Sequence, residues 1–160
     1  MSMKFTAAVL LLATTAAWAF PTMSFAFSNS DRNKNVDKNF VRDDKHGVVL
    51  DKRRRLVYYD ANATEPMDFA QAQKFCRHLK WDGRTDWRVP TKEEMRSLLE
   101  LSRRGEPTIK HAFKNVKEAI YWSSTQNNYA KAWYFDFDLG RYGKRKTSAK
   151  YRVFCVRQAR

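Results

Sequence analysis

The chain has 160 residues, with 31 Lys and Arg against 17 Asp and Glu, and a formal net charge of +14. This length suits one domain with a single core, and an aromatic content of 14% argues against a disordered chain despite the charge. Five Gly and four Pro exclude collagen-like and proline-rich low-complexity sequences. After the N-terminal segment, no apolar run approaches the roughly 18 residues of a membrane-spanning helix.

The N-terminal segment 1–26 has the pattern of a secretory signal peptide. Lys4 is its only charged residue, an apolar run covers 7–13, and small residues follow. Cleavage after Ala19 or after Ala26 satisfies the small-x-small rule, and an uncleaved N-terminal anchor is the alternative. We therefore expect an exported protein that is periplasmic, secreted or on the cell surface.

The next segment, 27–47, is polar and without periodicity, and we expect a flexible leader before a domain at 48–160. Two apolar stretches, 48–51 and 56–59, flank four consecutive basic residues and predict a β-hairpin. The turn lacks the Asn-Gly or Asp-Gly pair that marks the commonest hairpins, so its type stays open.

A first helix is predicted over about 66–80, with Thr64 as its N-cap. Its apolar residues recur at steps of three and four and share one face: Phe69, Ala72, Cys76 and Leu79. Cys76 therefore points towards the core. The other cysteine is Cys155, and in an oxidising compartment two cysteines most simply form one disulfide.

A second helix is predicted to begin at Thr91, directly after Pro90. Thr91 and Glu94 have the spacing of a capping box, in which each side chain bonds the backbone N–H of the other residue. The helix is expected to bury three residues: Met95, Leu98 and Leu99.

The last third of the chain is predicted to be β-structure. Residues 120–124 are one strand candidate, and 132–138 alternate in the period-two pattern of a half-buried strand. A basic loop over 140–150 leads to a final strand at 151–157, where Val153 and Cys155 share a face. The predicted class is α+β, with two helices on a mostly antiparallel sheet and a disulfide from the first helix to the last strand.

The positive charge is concentrated in three segments. Residues 52–55 are all basic, 103–117 hold five basic residues against one acidic residue, and 139–160 hold eight with no acidic residue. Local charge density attracts polyanions, whereas net charge alone does not. A solubilising surface is the alternative reading of these segments. One binding face requires that the three segments converge in the fold.

Four short motifs follow one another in a fixed order: Asp86 to Thr91 with Glu94, Tyr121 to Ser124, Ala132-Trp133 with Phe137, and Val153 to Arg157. This set, over about residues 41–158, resembles the Lcl-type C-terminal domain, named for a bacterial collagen-like adhesin. The resemblance implies an extracytoplasmic domain similar to C-type-lectin-like folds, in which a first-helix Cys bonds a last-strand Cys. The adhesin binds sulfated glycosaminoglycans, so the resemblance favours an acidic glycan among the polyanions.

The chain departs from the family's usual hairpin, D-x-x-T-G-L-x-W. Here the Thr-Gly turn is replaced by basic residues within 51–58, and Tyr58 stands at the Trp position. The change adds charge to the turn. A collagen-like stalk is absent from the sequence, so an architecture that depends on one is not carried over.

Nine motif residues are interpreted as framework: Asp86, Trp87, Arg88, Pro90, Thr91, Trp122, Ser123, Trp133 and Arg157. We expect the three tryptophans to pack in the core, with stacking on sugar rings as the alternative. Asp86 and Arg88 are expected to brace the loop by ion pairs or hydrogen bonds, with ligand contact as the alternative.

Neither a catalytic constellation nor a metal site is predicted. No G-x-S-x-G surrounds Ser123, and the histidines are scattered. The segment 136–140 offers two carboxylates but lacks the further ligands that Ca²⁺ prefers, and zinc has no paired histidines. We expect no cofactor and calcium-independent binding.

These patterns favour an exported, non-enzymatic module that contacts anionic polysaccharide through surface Lys and Arg. Eight residues are the candidate ligand contacts: Arg53, Arg54, Arg55, Arg141, Lys144, Arg145, Lys146 and Lys150. The alternative is a periplasmic or envelope module for an acidic protein partner. Nucleic acid is a further possible polyanion, because basic residues do not distinguish phosphate from sulfate.

Overall fold

The computed structural model describes residues 37–102, 107–117, 119–127 and 130–160. The predicted signal peptide at 1–26 and the predicted leader up to residue 36 lie outside the described residues. Within the described ranges no helix is long and apolar enough to cross a membrane. Two helices and two mostly antiparallel sheets confirm the predicted α+β class, although one sheet was expected.

The first sheet begins with three antiparallel strands: β1 (Phe40–Asp43), β2 (Val48–Asp51) and β3 (Leu56–Tyr59). The predicted hairpin of β2 and β3 is confirmed. The leader prediction is wrong in its last part, because β1 falls within 27–47. The cause is Phe40, which is 6% exposed and lies 6.4 Å from the ring of Phe113, centroid to centroid. Burial of this side chain helps to hold a largely polar segment against the domain, together with the pairing of β1 with β2.

Helix α1 spans Phe69–His78 and begins later than predicted. Its N-cap is Asp68, which forms a capping box with Gln71. The predicted cap, Thr64, is wrong. The Thr64 hydroxyl instead donates to the carbonyl of Val153 and accepts from the Val153 N–H, each at 3.0 Å. Thr64 therefore satisfies buried backbone groups of a distant strand, which local sequence does not reveal.

Helix α2 spans Lys92–Leu98 and begins where the sequence predicts. The Thr91 hydroxyl accepts from the Glu94 N–H at 3.2 Å, and the Glu94 carboxylate accepts from the Thr91 N–H at 2.7 Å. The predicted capping box is confirmed. The predicted apolar stripe is buried at two of its three positions: Met95 and Leu98 are buried, and Leu99 is half-buried.

The second sheet has the order β6-β5-β4-β7 and consists of β4 (Ile120–Asn127), β5 (Lys131–Asp136), β6 (Arg141–Lys146) and β7 (Arg152–Val153). β5 is antiparallel to both β4 and β6, and β7 is parallel to β4. The basic segment 140–150 is therefore not a loop throughout. Its first half pairs with β5 along six residues and forms the edge of the sheet.

The predicted final strand, 151–157, is divided between the two sheets. β7 belongs to the second sheet, whereas β8 (Val156–Gln158) pairs with β3 and completes the first. Cys155 lies between them and bonds Cys76 of α1, with 5.4 Å between the Cα atoms. The disulfide is confirmed, and it ties α1 to the point where the chain passes from one sheet to the other.

Each sheet buries side chains on both of its faces. One core cluster contains Leu98 of α2, and the other contains Phe69 of α1. Neighbouring strand residues alternate between the clusters, as Tyr121 and Trp122 do. We call these two faces the α2 side and the α1 side, and side chains opposite each other in paired strands share one of them.

Candidate functional site

The cations of β6 lie on the exposed edge of the second sheet. Lys146 is opposite Lys131 and Lys144 is opposite Trp133, so these four side chains share the α2 side. Arg145 points to the other face. The four cations Lys131, Lys144, Arg145 and Lys146 are all exposed. A shallow depression of about 420 Å³ is lined by Lys131, Lys144, Arg145, Lys146, Ser148 and Ala149.

Trp133 lies on this surface, and its predicted place in the core is wrong. Trp87 and Trp122 are 3% and 0% exposed, whereas Trp133 is half-buried. The Nζ atom of Lys92 lies 4.0 Å from the Trp133 ring centroid, and that of Lys144 lies 5.1 Å away. The physical reason is that α2 presents Lys92 to this ring rather than an apolar side chain.

A second aromatic side chain, Tyr142, extends the surface. It is 39% exposed, and its ring centroid lies 6.0 Å from that of Trp133 and 5.2 Å from that of Phe135. The guanidinium carbon of Arg96 lies 6.0 Å from the Tyr142 ring centroid. We define the aromatic–basic face as the side chains that share this surface: Lys92, Arg96, Lys131, Trp133, Tyr142, Lys144 and Lys146.

Two of the predicted ligand contacts are paired with buried carboxylates. Arg141 Nε lies 3.1 Å from Asp136 Oδ2, and Arg54 Nη1 lies 3.3 Å from Asp51 Oδ2. Asp136 and Asp51 are 4% and 0% exposed, so each needs a cationic or N–H partner. In contrast, the other six predicted contacts have no ion pair with any described residue: Arg53, Arg55, Lys144, Arg145, Lys146 and Lys150.

The hairpin turn and β6 do not form one continuous face. Arg53 and Arg54 border a small cavity beside Ser97 of α2. Lys92 and Arg96 extend from a different side of the same helix and cover the aromatic rings. The hairpin turn and the β6 cations therefore lie beside different sides of helix α2, and the two cavities that they border share no residue.

In the middle basic segment, two of the three lysines that the structure describes are paired with carboxylates. Lys110 Nζ lies 2.8 Å from Glu100 and 3.2 Å from Asp37, and Lys114 Nζ lies 3.0 Å from Asp44. Arg103 and Arg104, which the sequence assigns to this segment, lie outside the described residues. Exposed cations without an ion pair to a described residue thus include those of β6, of α2 and of the hairpin turn.

The hairpin turn holds Arg55 in a backbone conformation that favours glycine. Its φ is +56°, in the left-handed region, and the corresponding position of the family's hairpin pattern is the Gly of Thr-Gly. Its carbonyl accepts a hydrogen bond from the N–H of Ala159 at 2.8 Å, which keeps the turn against the chain end. The turn therefore keeps a cation at the expense of backbone strain.

We expect Arg55→Gly to raise the free energy of unfolding by about 0.5–1 kcal/mol. Relief of left-handed strain exceeds the added entropy of glycine in the unfolded chain. Urea unfolding of the parent and the variant measures the change. Arg53→Gly is the matched control, because it removes the same charge from the same turn without a positive φ, and it should not stabilise. A loss of stability in Arg55→Gly contradicts the prediction.

The D-W-R motif is held by two separate ion-pair systems. Arg88 contacts Glu94 through both guanidinium ends, at 2.7 and 2.6 Å. Burial opposes ionisation of Glu94, but hydrogen bonds from Arg88 and from the Thr91 N–H hold its pKa below the ordinary value. Asp86 lies 3.4 Å from Arg84 Nε and 3.8 Å from Arg160 Nη2. Arg88 and Asp86 thus have different partners, and both contacts brace the loop before α2.

The other motif residues also make internal contacts. Trp122 Nε1 donates to the carbonyl of Met67 at 3.0 Å, and the Pro90 carbonyl accepts from the Ser124 N–H at 2.7 Å. Ser123 is fully buried, and its hydroxyl donates to the carbonyl of Trp133 at 3.3 Å. This last contact fixes the backbone of the residue at the centre of the aromatic–basic face.

Arg157 lies over a buried aromatic ring. Its guanidinium carbon is 5.3 Å from the ring centroid of Trp87. Burial, and after it the neighbouring cation Arg84, lower the pKa of Arg157 below its ordinary value. These contacts make Arg157 part of the packing around Trp87.

Of the two carboxylates at 136–140, that of Asp136 is used within the protein. Asp136 Oδ1 accepts from the N–H groups of Asp138 and Leu139, and Asp136 Oδ2 faces Arg141. In the part of the chain that the structure describes, no group of three or more His, Cys, Asp or Glu side chains is placed to hold a metal ion.

Together, the two sheets, the capped helix after D-W-R-V-P and the single disulfide define a disulfide-closed α+β domain of the adhesin-like C-terminal type. The chain matches the Lcl C-terminal domain over residues 39–157 and belongs to that family. The match begins beside β1 and includes both cysteines. No curated protein matches the chain closely enough to serve as a relative.

The residues predicted from the sequence did not include four members of the aromatic–basic face: Lys92, Arg96, Lys131 and Tyr142. Two signals were present: Lys92 and Arg96 are four apart on a predicted helix, and Tyr142 alternates with Lys144 and Lys146. Neither signal shows that the helix and the strand meet. That contact depends on the docking of α2 and on the β5–β6 register.

Proposed function

We propose that the protein is an exported, non-enzymatic binding module that contacts anionic polysaccharide through the aromatic–basic face. The observation that carries the proposal is the clustering of Lys92, Lys131, Lys144 and Lys146 without an ion-pair partner among the described residues. Cations on a shared surface raise the local potential and attract an extended polyanion.

Two features support a binding site outside the cytoplasm that needs no calcium. The buried disulfide between Cys76 and Cys155 is typical of an oxidising compartment. Asp136, the acidic residue of β5, is already bonded to Arg141 and to two backbone N–H groups. The proposed contacts use Lys and Arg directly, so chelation of calcium should leave binding unchanged.

The hairpin turn is a second, separate contact in this proposal. Arg53 and Arg55 are exposed and have no ion pair with any described residue, but they lie on a different side of α2. A long polymer reaches both surfaces only by passing around the helix. We therefore expect changes on β6 to weaken binding more than changes in the turn.

The triple variant Lys144→Ala, Arg145→Ala, Lys146→Ala should elute from immobilised heparin at lower salt than the parent. By analogy with phosphate contacts, each lost contact reduces the slope of log affinity against log salt by about 0.7–0.9. The melting temperature should change little, because all three side chains are exposed. Elution as a function of salt, with and without a calcium chelator, measures both expectations.

The matched control removes three exposed cations from α1 and its C-terminal end: Lys74→Ala, Arg77→Ala and Lys80→Ala. It has the same net charge as the β6 variant but leaves the aromatic–basic face intact. The proposal expects the control to elute close to the parent. Equal shifts in the two variants would mean that net charge alone explains retention, and the proposed site would be wrong.

A further inference from the structure

The Trp133 ring is flanked by two ammonium groups from different elements. Lys92 extends from the first turn of α2, and Lys144 is the cross-strand neighbour of Trp133 on β6. Their Nζ atoms lie 4.0 and 5.1 Å from the ring centroid. Neither lysine has an ion pair with a described acidic residue. The ring and both charges are therefore available to one ligand.

These ammonium–ring contacts can be exchanged for stronger ones. A cation over an exposed aromatic ring is held less strongly than a cation that donates charge-assisted hydrogen bonds to a carboxylate or sulfate. An anionic ligand therefore draws Lys92 and Lys144 away from the Trp133 ring while both remain in the site. The flat apolar surface that they uncover is then free for the body of the ligand.

We infer that Trp133 recognises a sugar ring and that Lys92 and Lys144 bind its acidic groups. This inference rests on the proposed function and assigns recognition of the sugar rings, as distinct from their charges, to Trp133. A pyranose presents C–H groups on one side, and these pack on a flat aromatic ring, whereas a polyphosphate chain presents only charged oxygens. The face thereby distinguishes polysaccharide from other polyanions.

Tyr142 provides a second aromatic ring next to Trp133 on the aromatic–basic face. Its ring centroid is 6.0 Å from that of Trp133, and Arg96 stands over it as Lys92 stands over Trp133. An aromatic ring beside a cation of α2 thus occurs on β5 and again on the neighbouring strand β6. Stacking on Phe135, which is fully buried, holds the Tyr142 ring in place.

Trp133→Leu tests the inference, because leucine keeps an apolar side chain but lacks a flat ring. Dissociation constants for heparin and for inorganic polyphosphate are measured at one ionic strength, for the parent and the variant. We expect heparin affinity to fall about tenfold, the order found for stacking of bases on aromatic side chains. Polyphosphate affinity should change less than about twofold, since its binding depends on charge alone.

Two further variants separate stacking from charge and from folding. Trp133→Phe keeps a flat ring and should recover most of the heparin affinity. Lys144→Ala removes a charge and should weaken the binding of both heparin and polyphosphate. Melting temperatures of all variants show whether the fold is retained, and the comparison between the two polymers is made within each variant.

An unchanged heparin affinity in Trp133→Leu overturns the inference, and so does an equal loss for both polymers. Either result leaves the proposed function standing, because the parent still binds heparin through its cations. A parent protein that binds neither polymer overturns the proposed function itself. If Trp133→Leu loses heparin binding selectively and Trp133→Phe recovers it, the inference and the proposed function are both supported.

Discussion

Replacement of both Cys76 and Cys155 by alanine should lower the free energy of unfolding by about 4–5 kcal/mol. The bond joins residues 79 apart in sequence, and closing so long a loop removes much of the entropy of the unfolded chain. The bond also lies where the last part of the chain passes between the two sheets, so its loss releases α1 from both.

Urea unfolding of the parent and of the double alanine variant, each with and without reductant, measures this effect. The parent should lose stability once the disulfide is reduced, whereas the double variant should not respond to reductant. Both sulfur atoms lie in residues that are 0% exposed, so reduction of the folded parent should be slow. A difference below about 1 kcal/mol between parent and variant would contradict the loop-closure account.

Asp60→Ala is expected to destabilise the fold by about 3–5 kcal/mol, the usual cost of breaking a buried ion pair. Asp60 is 1% exposed, pairs with Arg42 of β1, and accepts hydrogen bonds from the backbone N–H groups of Lys114 and Asn115. The Arg42 side chain is only 11% exposed, so removal of the carboxylate leaves a poorly solvated cation and two unpaired N–H groups.

Asp44→Ala is the matched control for this prediction. Asp44 also pairs with Arg42 and with Lys114, but it is 68% exposed, and its loss should cost less than about 1 kcal/mol. Asp60→Asn keeps one oxygen acceptor, so its loss of stability should lie between those of the two alanine variants. It provides the test if Asp60→Ala does not fold. Equal midpoints of urea unfolding for Asp60→Ala and Asp44→Ala would refute the buried-pair explanation.

Local signals predicted the elements that depend on neighbouring residues. Thr91 and Glu94 cap α2 because both hydrogen bonds lie within four residues, and the hairpin follows from two short apolar stretches. Thr64 shows the limit of this reasoning. It has the chemistry of an N-cap, but its hydroxyl bonds the backbone of Val153, and Asp68 begins the helix instead.

The division of the final strand shows a similar limit. Alternation along 153–156 is regular, and it continues through the point where the chain leaves one sheet for the other. A period-two pattern records which face a side chain takes, but it contains no information about the strand beside it. The choice of β4 for one half and β3 for the other is made by long-range pairing.

The sequence predicted that the candidate site is basic, but not which aromatic and helical residues complete it. The basic residues of β6 are apparent in the sequence, because eight cations occur in 139–160 without an acidic residue. Trp133 has the alternating pattern of a core residue, yet α2 leaves it half-buried under Lys92. Whether a strand face is covered depends on the length and position of a helix that is distant in sequence.

Amino-acid order alone thus established the α+β class, the pairing of the two cysteines and the three basic segments, since these follow from local patterns and from composition. The tertiary structure determines which of these basic residues have no ion-pair partner. Asp51 and Asp136 neutralise arginines that are close to them in the chain. Asp44 neutralises a lysine 70 residues away, although the basic residues look equivalent in the sequence. An ion pair needs its two charges within a few ångströms, so it depends on where folding places both groups, and the aromatic–basic face is one described surface on which cations remain unpaired.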